Sequence, residues 1–379
     1  MIWSKYVKIT RIETIPVYVP LKKGMTTRTA HGEHVVSPLV IVRVHTDEGL
    51  VGLGEATVAA KWSGETSQSC VAAIRDLIEP ALKGEDPLQR TLLRKKMEFQ
   101  IKLNPFTRAA VEMALWDLAG KAAGVPVYQL LGGKVRDAVP IKMMIGAFDL
   151  PRAQSLAEQF LKWGVKTLKV KTGLDPDGDV ARVQAIREVA GPKIPITIDS
   201  NCGWNVTIAK QTLRRLREFN LLLSEQPIHP GDPAALAEVR RDTDIPIMAD
   251  ESVFTLRDAW LVSLHRAADI FSVYPGKHGG IAETLEIVNV AKAADLRCAI
   301  GSNLELGIGT AAMLHVAVAY PEIASEIYPA DTIGPLYHET DLLTRPLTLG
   351  PAEARVPEGP GLGVELDEEL LRRFRDDQS

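Results

Sequence analysis

The chain has no excess of positive charge and few cysteines. Its 379 residues include 44 lysines and arginines against 48 aspartates and glutamates, a formal net charge of −4. Nucleic-acid binding surfaces are normally basic, so we expect no nucleic-acid partner. The three cysteines, Cys70, Cys202 and Cys298, lie far apart and form no C-x-x-C pair. They are predicted to be free thiols in a reducing, cytoplasmic compartment.

Long hydrophobic runs are also missing. No run of about 18 apolar residues occurs, and the start, Met1-Ile2-Trp3-Ser4-Lys5, has no apolar signal core. The sequence therefore predicts no membrane partner and no secretory leader. Aromatic residues make up only 6% of the chain, but 46% is hydrophobic and 24% charged. This ordinary globular composition excludes a disordered or collagen-like chain.

The first part of the sequence has strands first and helices afterwards. Strand-like patterns cover 7–19, 39–45 and 50–55, and the polar segment from Lys22 to His34 has no period, which predicts a loop. Helical patterns follow over 67–82 and 106–123, with another that starts at Asp86-Pro87. We therefore expect an α+β domain over residues 1–135.

From residue 136 onwards, short apolar runs alternate with amphipathic helical segments. Seven runs are countable, and predicted strand ends at 171, 199, 225, 250, 274 and 301 recur every 24 to 28 residues. This regularity predicts parallel βα units closed into a barrel over 136–325, with a very short eighth strand near Asn303 to Leu306. A doubly wound sheet is the alternative, but Ile145-Gly146-Ala147-Phe148 matches its phosphate loop poorly. The proline- and glycine-rich segment 326–379 is predicted to pack back over another surface.

Three acids follow consecutive predicted strands. Asp199, Glu225 and Asp250 would meet at the mouth of a parallel barrel, where the carboxyl ends of the strands lie. Close carboxylates repel each other, so they need a cation, and ligands that are all oxygen select Mg²⁺ or Mn²⁺ over Zn²⁺. The alternative is that each acid caps the helix after it. Three acids in consecutive units favour the metal.

Two lysines share one face of the second predicted barrel strand. Lys169 and Lys171 are two residues apart, so their side chains point the same way. Inside a barrel they would repel each other and lose hydration, which lowers a lysine pKa towards that of a base working near neutral pH. An outward, solvated pair is the alternative, since apolar Leu168 and Val170 alternate with them.

These motifs together resemble the enolase superfamily, and more narrowly the muconate-lactonizing subgroup of the mandelate racemase and muconate lactonizing enzyme family. The resemblance covers nearly the whole chain. It rests on Lys169-Val170-Lys171, Asp199-x-Asn201, Glu225-Gln226-Pro227, Asp250-Glu251-Ser252, the run from Ala110-x-Glu112 to Gly120-Lys121, Leu130-Leu131-Gly132-Gly133, Gly301-Ser302-Asn303-Leu304-Glu305 and Pro360-Gly361-Leu362-Gly363.

The resemblance implies a modified (β/α)₇β barrel under an α+β capping domain closed by the C-terminal segment. It also implies a homo-oligomer, either a dimer or an octamer, that acts on a small carboxylate. An essential Mg²⁺, or Mn²⁺, on the three strand-end acids would stabilise an enediolate when a proton leaves or reaches the α-carbon. By the same resemblance Lys171 is the acid/base, Lys169 supports it, and Glu305 is an acid on the far side of the site.

Candidate substrate contacts come from loops of both predicted domains. The capping loops 22–34 and 59–65 would close over the substrate, which suggests Thr29, His31 and Trp62 as contacts. Asn201 and Ser302 would contribute from the barrel. Ordinary polar-loop and packing roles remain alternatives for His31 and Trp62.

One position departs from the subgroup. A second catalytic lysine usually ends the sixth barrel strand, five residues before a Gly-Gly pair, but here Tyr274 precedes Gly279-Gly280 and the nearest lysine is Lys277. A tyrosine, with a pKa near 10, is a poor base. Racemisation and epimerisation need groups on both faces of the carbon, so the sequence favours one-base chemistry, above all a muconate-type cycloisomerase. A hydroxy-acid or acid-sugar dehydratase, a racemase or epimerase, and a non-catalytic metal-stabilised barrel are the alternatives.

Overall fold

The computed structural model describes residues 7–376; the two ends of the chain, 1–6 and 377–379, lie outside the described residues and include parts of the predicted first domain and C-terminal segment. The first part of the described chain contains five strands and then five helices. They are β1 (Ile9–Pro20), β2 (Thr27–Thr29), β3 (Gly32–His34), β4 (Val36–Thr46), β5 (Val51–Ala56), α1 (Ser67–Ala73), α2 (Glu79–Leu82), α3 (Arg90–Gln100), α4 (Pro105–Ala123) and α5 (Val127–Leu130).

An antiparallel sheet in the order β1-β4-β5 packs directly against α4. Two glycines on β5 allow this contact. A Cβ on Gly54 would lie 1.7 Å from the Ala110 carbonyl oxygen, and a Cβ on Gly52 would lie 2.1 Å from the Ala114 oxygen. Both distances are shorter than any van der Waals contact, so the sheet and the helix backbone approach closely only because these side chains are missing.

Two local expectations for this domain need correction. The segment Lys22 to His34 is not only loop, because β2 and β3 form a small antiparallel hairpin in it, pairing Thr27 with His34. Strands of three residues are too short to show a period. The predicted helix 67–82 is interrupted by a π-helical turn over Ile74–Ile78, just before Pro80, which lacks the N–H that regular α-helix pairing requires.

The second part of the chain alternates strands and helices as predicted. Its elements are β6 (Val139–Pro140), β7 (Met143–Ile145), α6 (Leu150–Trp163), β8 (Leu168–Lys171), α7 (Pro176–Ala190), β9 (Ile196–Asp199), α8 (Val206–Leu216) with a 3₁₀ turn Arg217–Phe219, β10 (Leu223–Glu225), α9 (Pro233–Arg241), β11 (Ile247–Ala249), α10 (Leu256–Leu264), β12 (Ile270–Val273), α11 (Pro275–His278), α12 (Ile281–Ala293), β13 (Arg297–Ile300), α13 (Gly307–Ala319), α14 (Gly334–Tyr337), β14 (Glu353–Ala354) and α15 (Glu368–Phe374).

Strands β7 to β13 form one parallel sheet in chain order, which confirms the barrel-type fold class. Among residues 7–376, however, no strand covers 303–306, so the expected position of the eighth strand is wrong. The gap between β13 and β7 is closed instead by an irregular segment, residues 322–331. Its backbone hydrogen-bonds to Cys298 on one side and to Pro140 and Lys142 on the other. Pro329 lacks an N–H within this segment, which prevents a continuous ladder.

The C-terminal segment returns to the capping domain. Single backbone bridges join Val17 to Arg375, Leu21 to His338 and Pro126 to Gly361. Gly361 fits there because a Cβ would lie 2.1 Å from Asp117 Oδ1, and its φ of +72° suits glycine. Within the described chain, no helix is long and apolar enough to cross a bilayer.

Candidate active site

A cavity of about 330 Å³ lies between the capping domain and the mouth of the barrel. All five predicted substrate contacts line it: Thr29, His31, Trp62, Asn201 and Ser302. The predicted metal ligands Asp199, Glu225 and Asp250 line it too, as do Lys169 and Lys171. Residues that the strand ends and the family resemblance predicted in both domains therefore line one cavity.

Strand register explains how the barrel residues meet. Lys171 on β8 is paired with Asp199 on β9, and Asp199 is paired with Glu225 on β10. In a parallel sheet, paired positions lie side by side, so three consecutive strands end at the same level. Each of these side chains is almost completely buried.

Lys171 is held by two oxygen atoms at the floor of the cavity. Its Nζ donates to Asp199 Oδ2 at 2.6 Å and to Asn201 Oδ1 at 2.8 Å. The Asn201 amide is fixed in turn, since its Nδ2 donates to Glu251 Oε1 at 3.1 Å and its backbone N–H donates to Asp199 Oδ1 at 2.9 Å. The amine of Lys171 is therefore oriented by groups that are themselves held.

Lys169 is surrounded by negative charge. Its Nζ lies 2.8 Å from Glu225 Oε2, 3.0 Å from Asp199 Oδ2 and 3.0 Å from Asp331 Oδ2. Burial alone would lower the pKa of Lys169, but the three carboxylates outweigh burial and raise it well above its ordinary value. Lys169 is thus a fixed cation beside Lys171 rather than a second base.

Sequence reasoning missed two buried members of this charge network. Lys142 Nζ donates to the Pro329 carbonyl oxygen at 2.6 Å and lies 3.1 Å from Asp331 Oδ2. Asp331 comes from the irregular closing segment, which has no strand period to mark it. The sequence could have indicated Lys142, because it is the one charged residue in the apolar run 139–145. It comes two residues before Met144, which lines the cavity.

The strand-end acids carry donors that suit a hard divalent cation. Glu225 Oε2 is buried and accepts no hydrogen bond of normal geometry, although Lys169 Nζ is 2.8 Å away. Burial, followed by the negative charge of Asp199, raises the pKa of Glu225 to about 8. Crowded carboxylate oxygens are the type of donor that Mg²⁺ prefers. Asp250, however, pairs with Lys277, with Oδ1 at 2.6 Å from Nζ.

Tyr274, on the strand expected to lie opposite Lys171, does not line the cavity. Strand β12 lies four strands from β8 in the sheet order, and Tyr274 follows it. The Tyr274 ring is fully buried behind the Trp62 indole, stacked at 6.1 Å between centroids with an interplanar angle of 7°. Burial, and then the charge of Asp250, raise the pKa of Tyr274 well above its usual value. Trp62, not Tyr274, lines the cavity there.

Lys277 and Glu305 are occupied by structural contacts. Lys277 is fully buried and donates to Asp250 Oδ1 at 2.6 Å, to the Asp250 carbonyl oxygen at 3.0 Å and to the Ser272 oxygen at 2.6 Å. Glu305 accepts a hydrogen bond from the Ser302 hydroxyl at 2.6 Å and one from the Asn303 N–H at 3.0 Å. Neither residue lines the cavity. Both hold groups that do, and Lys277 reaches towards a predicted metal ligand.

Comparison with known proteins identifies the family. Residues 9–132 match the N-terminal domain model of mandelate racemase and muconate lactonizing enzyme, and residues 152–370 match the enolase C-terminal domain-like model. The chain belongs to the mandelate racemase and muconate lactonizing enzyme family of the enolase superfamily. Together the two models cover most of the chain, which confirms the family predicted from the motifs, and the chain is an enzyme.

Two curated members of the family show the range of reactions among its relatives. L-Ala-D/L-Glu epimerase of Bacillus subtilis is 36% identical over 362 residues, which is 94% of this chain and 96% of that one. Muconate cycloisomerase 1 of Rhodococcus opacus is 35% identical over 372 residues, 96% of each chain. Similar identity to both means that overall likeness does not separate cycloisomerisation from epimerisation.

Solved structures of family members share the whole fold. A muconate lactonizing enzyme from Pseudomonas fluorescens, complexed with muconolactone, has a TM-score of 0.93 at 32% identity and covers 97% of this chain and 99% of its own. A dipeptide epimerase from Cytophaga hutchinsonii, complexed with Mg and the dipeptide D-Ala-L-Val, has a TM-score of 0.92 at 30% identity and covers 97% and 98%. The choice between reactions therefore depends on individual side chains.

Proposed function

We propose that this enzyme is a Mg²⁺-dependent muconate-type cycloisomerase that exchanges protons with the α-carbon of a carboxylate through Lys171 alone. In the same proposal the substrate is a small carboxylate, and the enzyme works in the cytoplasm as an assembly of identical chains. The observation that carries the proposal is the asymmetry of the cavity, with a lysine amine on one side and the Trp62 indole on the other.

Asp199, Glu225 and Asp250 would hold the Mg²⁺, for which Mn²⁺ could substitute. Their donors are all carboxylate oxygens, the type that these ions prefer. When bound, the ion would supply positive charge that stabilises the negative charge developing on a substrate carboxylate. Support for Mg²⁺ comes from the donor set of this site and from the Mg present in the related dipeptide epimerase.

The protein's own groups supply the proton transfer. In lactone formation from muconate, an oxygen of one substrate carboxylate bonds to a carbon of the same molecule. The carbon next to the other carboxylate must then gain a proton. Lys171 donates this proton and then takes another from solvent. The product has gained one proton, so it carries one negative charge less than the substrate. Asn201 orients the amine through its 2.8 Å contact, and the fixed charge of Lys169 attracts the anion.

The experiment that tests the proposal is incubation of the Mg²⁺-loaded enzyme with muconate and a set of α-substituted acids in D₂O. We expect muconolactone formation, with deuterium entering from one face only, as read by NMR of the product. Lys171→Ala should abolish it. Failure to turn over muconate, together with rapid exchange into both enantiomers of another acid, would contradict the proposal.

Epimerisation of dipeptides is the second candidate, favoured by the 36% identical epimerase and by the related dipeptide complex. It requires a second acid/base group opposite Lys171, and Lys277 is the only lysine that follows β12 before α12. If epimerisation occurs, Lys277→Met should abolish deuterium entry at one face and spare it at the other. In the cycloisomerase proposal, the same variant leaves the one-face pattern unchanged. Dehydration of a hydroxy acid stays a prediction from the sequence.

A further inference from the structure

A second cluster of ligand-type side chains lies at the rim of the cavity. Within residues 7–376, the group of three histidine, cysteine or acidic residues whose ligand atoms all lie within 4.8 Å of one another is His31, Cys202 and Glu251. His31 stands between the two strands of the capping hairpin, Thr27–Thr29 and Gly32–His34. Cys202 and Glu251 follow β9 and β11 in the barrel. We propose that this cluster is a Zn²⁺ site that fastens the hairpin to the barrel.

The chemistry of the three side chains distinguishes this cluster from the strand-end acids. An imidazole nitrogen, a thiolate sulfur and a carboxylate oxygen form a donor set that Zn²⁺ accepts, whereas Mg²⁺ takes oxygen almost exclusively. Three protein ligands leave a fourth position for water. We therefore expect the strand-end acids to bind Mg²⁺ and this cluster to bind Zn²⁺, although Asp250 and Glu251 are adjacent in the sequence.

An unpartnered buried oxygen points to a ligand here. Glu251 Oε1 is already shared by His31 Nε2 at 3.1 Å and by Asn201 Nδ2 at 3.1 Å. Glu251 Oε2 has no hydrogen-bond partner, although the side chain is only 3% exposed. A buried carboxylate oxygen without a donor is costly, and a cation removes that cost. The His31 side chain, 34% exposed, leaves a route for the ion from solvent.

Binding would exchange a proton for the metal without any change in oxidation state. The Cys202 thiol loses its proton to solvent as its sulfur bonds to Zn²⁺. His31 Nε2 carries the N–H that faces Glu251 Oε1, so that proton moves by way of solvent to Nδ1, and the Nε2 lone pair then bonds to the metal. The middle of the hairpin is already joined to the barrel, where the Ala147 N–H donates to the Arg28 oxygen at 2.8 Å. A metal at His31 would add a second attachment at the turn of the hairpin.

The test uses Co²⁺ as a spectroscopic probe on protein saturated with Mg²⁺, so that the strand-end acids are occupied. A thiolate bonded to Co²⁺ produces a charge-transfer band in the near ultraviolet that oxygen ligands do not produce. We expect this band in the wild type, its loss on addition of Zn²⁺, and its absence from Cys202→Ala. Cys70→Ala is the control, since it removes a buried thiol of the capping domain, away from the cluster, and should keep the band.

A second variant and a second measurement distinguish loss of the metal site from loss of folding. His31→Gln, on the partly exposed hairpin, should weaken Zn²⁺ binding by roughly tenfold or more in a calorimetric titration. Zn²⁺ should also slow amide hydrogen exchange over residues 27–34 in the wild type but not in Cys202→Ala. A missing band in the wild type, a band that persists in Cys202→Ala, or equal Zn²⁺ affinity in His31→Gln would each overturn the proposal. None of these readouts depends on catalytic activity.

Discussion

Replacing Lys277 by methionine tests whether this lysine is a structural partner of Asp250. Lys277 has no exposed surface, and its Nζ lies 2.6 Å from Asp250 Oδ1 and 2.6 Å from the Ser272 oxygen. Methionine keeps most of the aliphatic volume but leaves a buried carboxylate and two carbonyl oxygens without their donor. Removing one partner of a buried ion pair typically costs about 3–5 kcal/mol. We expect a loss of that size in the free energy of unfolding, measured by urea titration in EDTA.

The metal should change the size of this loss. Among residues 7–376, Lys277 is the cation that pairs with Asp250. Without it, Mg²⁺ should bind the variant more tightly and restore more stability to it than to the wild type. Lys292→Met is the matched control, since it removes a lysine, 64% exposed, from its surface pair with Glu322. Such pairs are worth less than about 1 kcal/mol. A Lys277→Met variant as stable in EDTA as the control would refute the structural role.

Three further changes have defined outcomes. Lys171→Ala should lower turnover by at least roughly 10²-fold, the usual worth of a positioned acid/base group, while circular dichroism shows an unchanged fold. Asp331→Asn should weaken the attraction that keeps Lys169 charged, so it should lower stability in urea by about 3 kcal/mol or more, and an unchanged urea midpoint would contradict this. His315 is buried and its pKa is lowered to about 4, chiefly by burial. The unfolded chain, with an ordinary histidine pKa near 6.5, binds the proton more readily, so stability should fall as the pH drops from about 6.5 to about 4. His315→Gln should flatten that part of a pH–stability curve, whereas exposed His229→Gln should leave it unchanged.

The active-site residues that the sequence predicted best are those at the ends of regular strands. Asp199, Glu225 and Asp250 could be placed because parallel strands bring their carboxyl ends to one mouth, and the motifs tied them to a known family. Lys171 follows from the same register. Its partner Asn201 could be named, but the contacts that orient its amide could not, since they depend on Glu251 from another βα unit.

Features outside regular elements were harder to predict. Asp331 lies on the segment that fills the eighth barrel position, and that segment has no alternation to mark it as part of the sheet. The hairpin with His31 has strands of three residues, below the length at which a period can be recognised. For Tyr274 the sequence predicted a residue unable to act as a base, but not that the Trp62 indole from the capping domain would cover it.

The irregular closing segment sets the order in which the enzyme can be completed during synthesis. Residues 322–331 join β13 to β7, and they also carry Asp331, the shared anion of Lys142 and Lys169. Because the ribosome makes this segment after all seven regular strands, the barrel stays open between β13 and β7 until then, and Lys142 lacks its partner Asp331. The C-terminal segment that follows adds to the first strand of the chain. A chain that ends before residue 322 would therefore leave the edges of β7 and β13 unjoined and Lys142 without its anion.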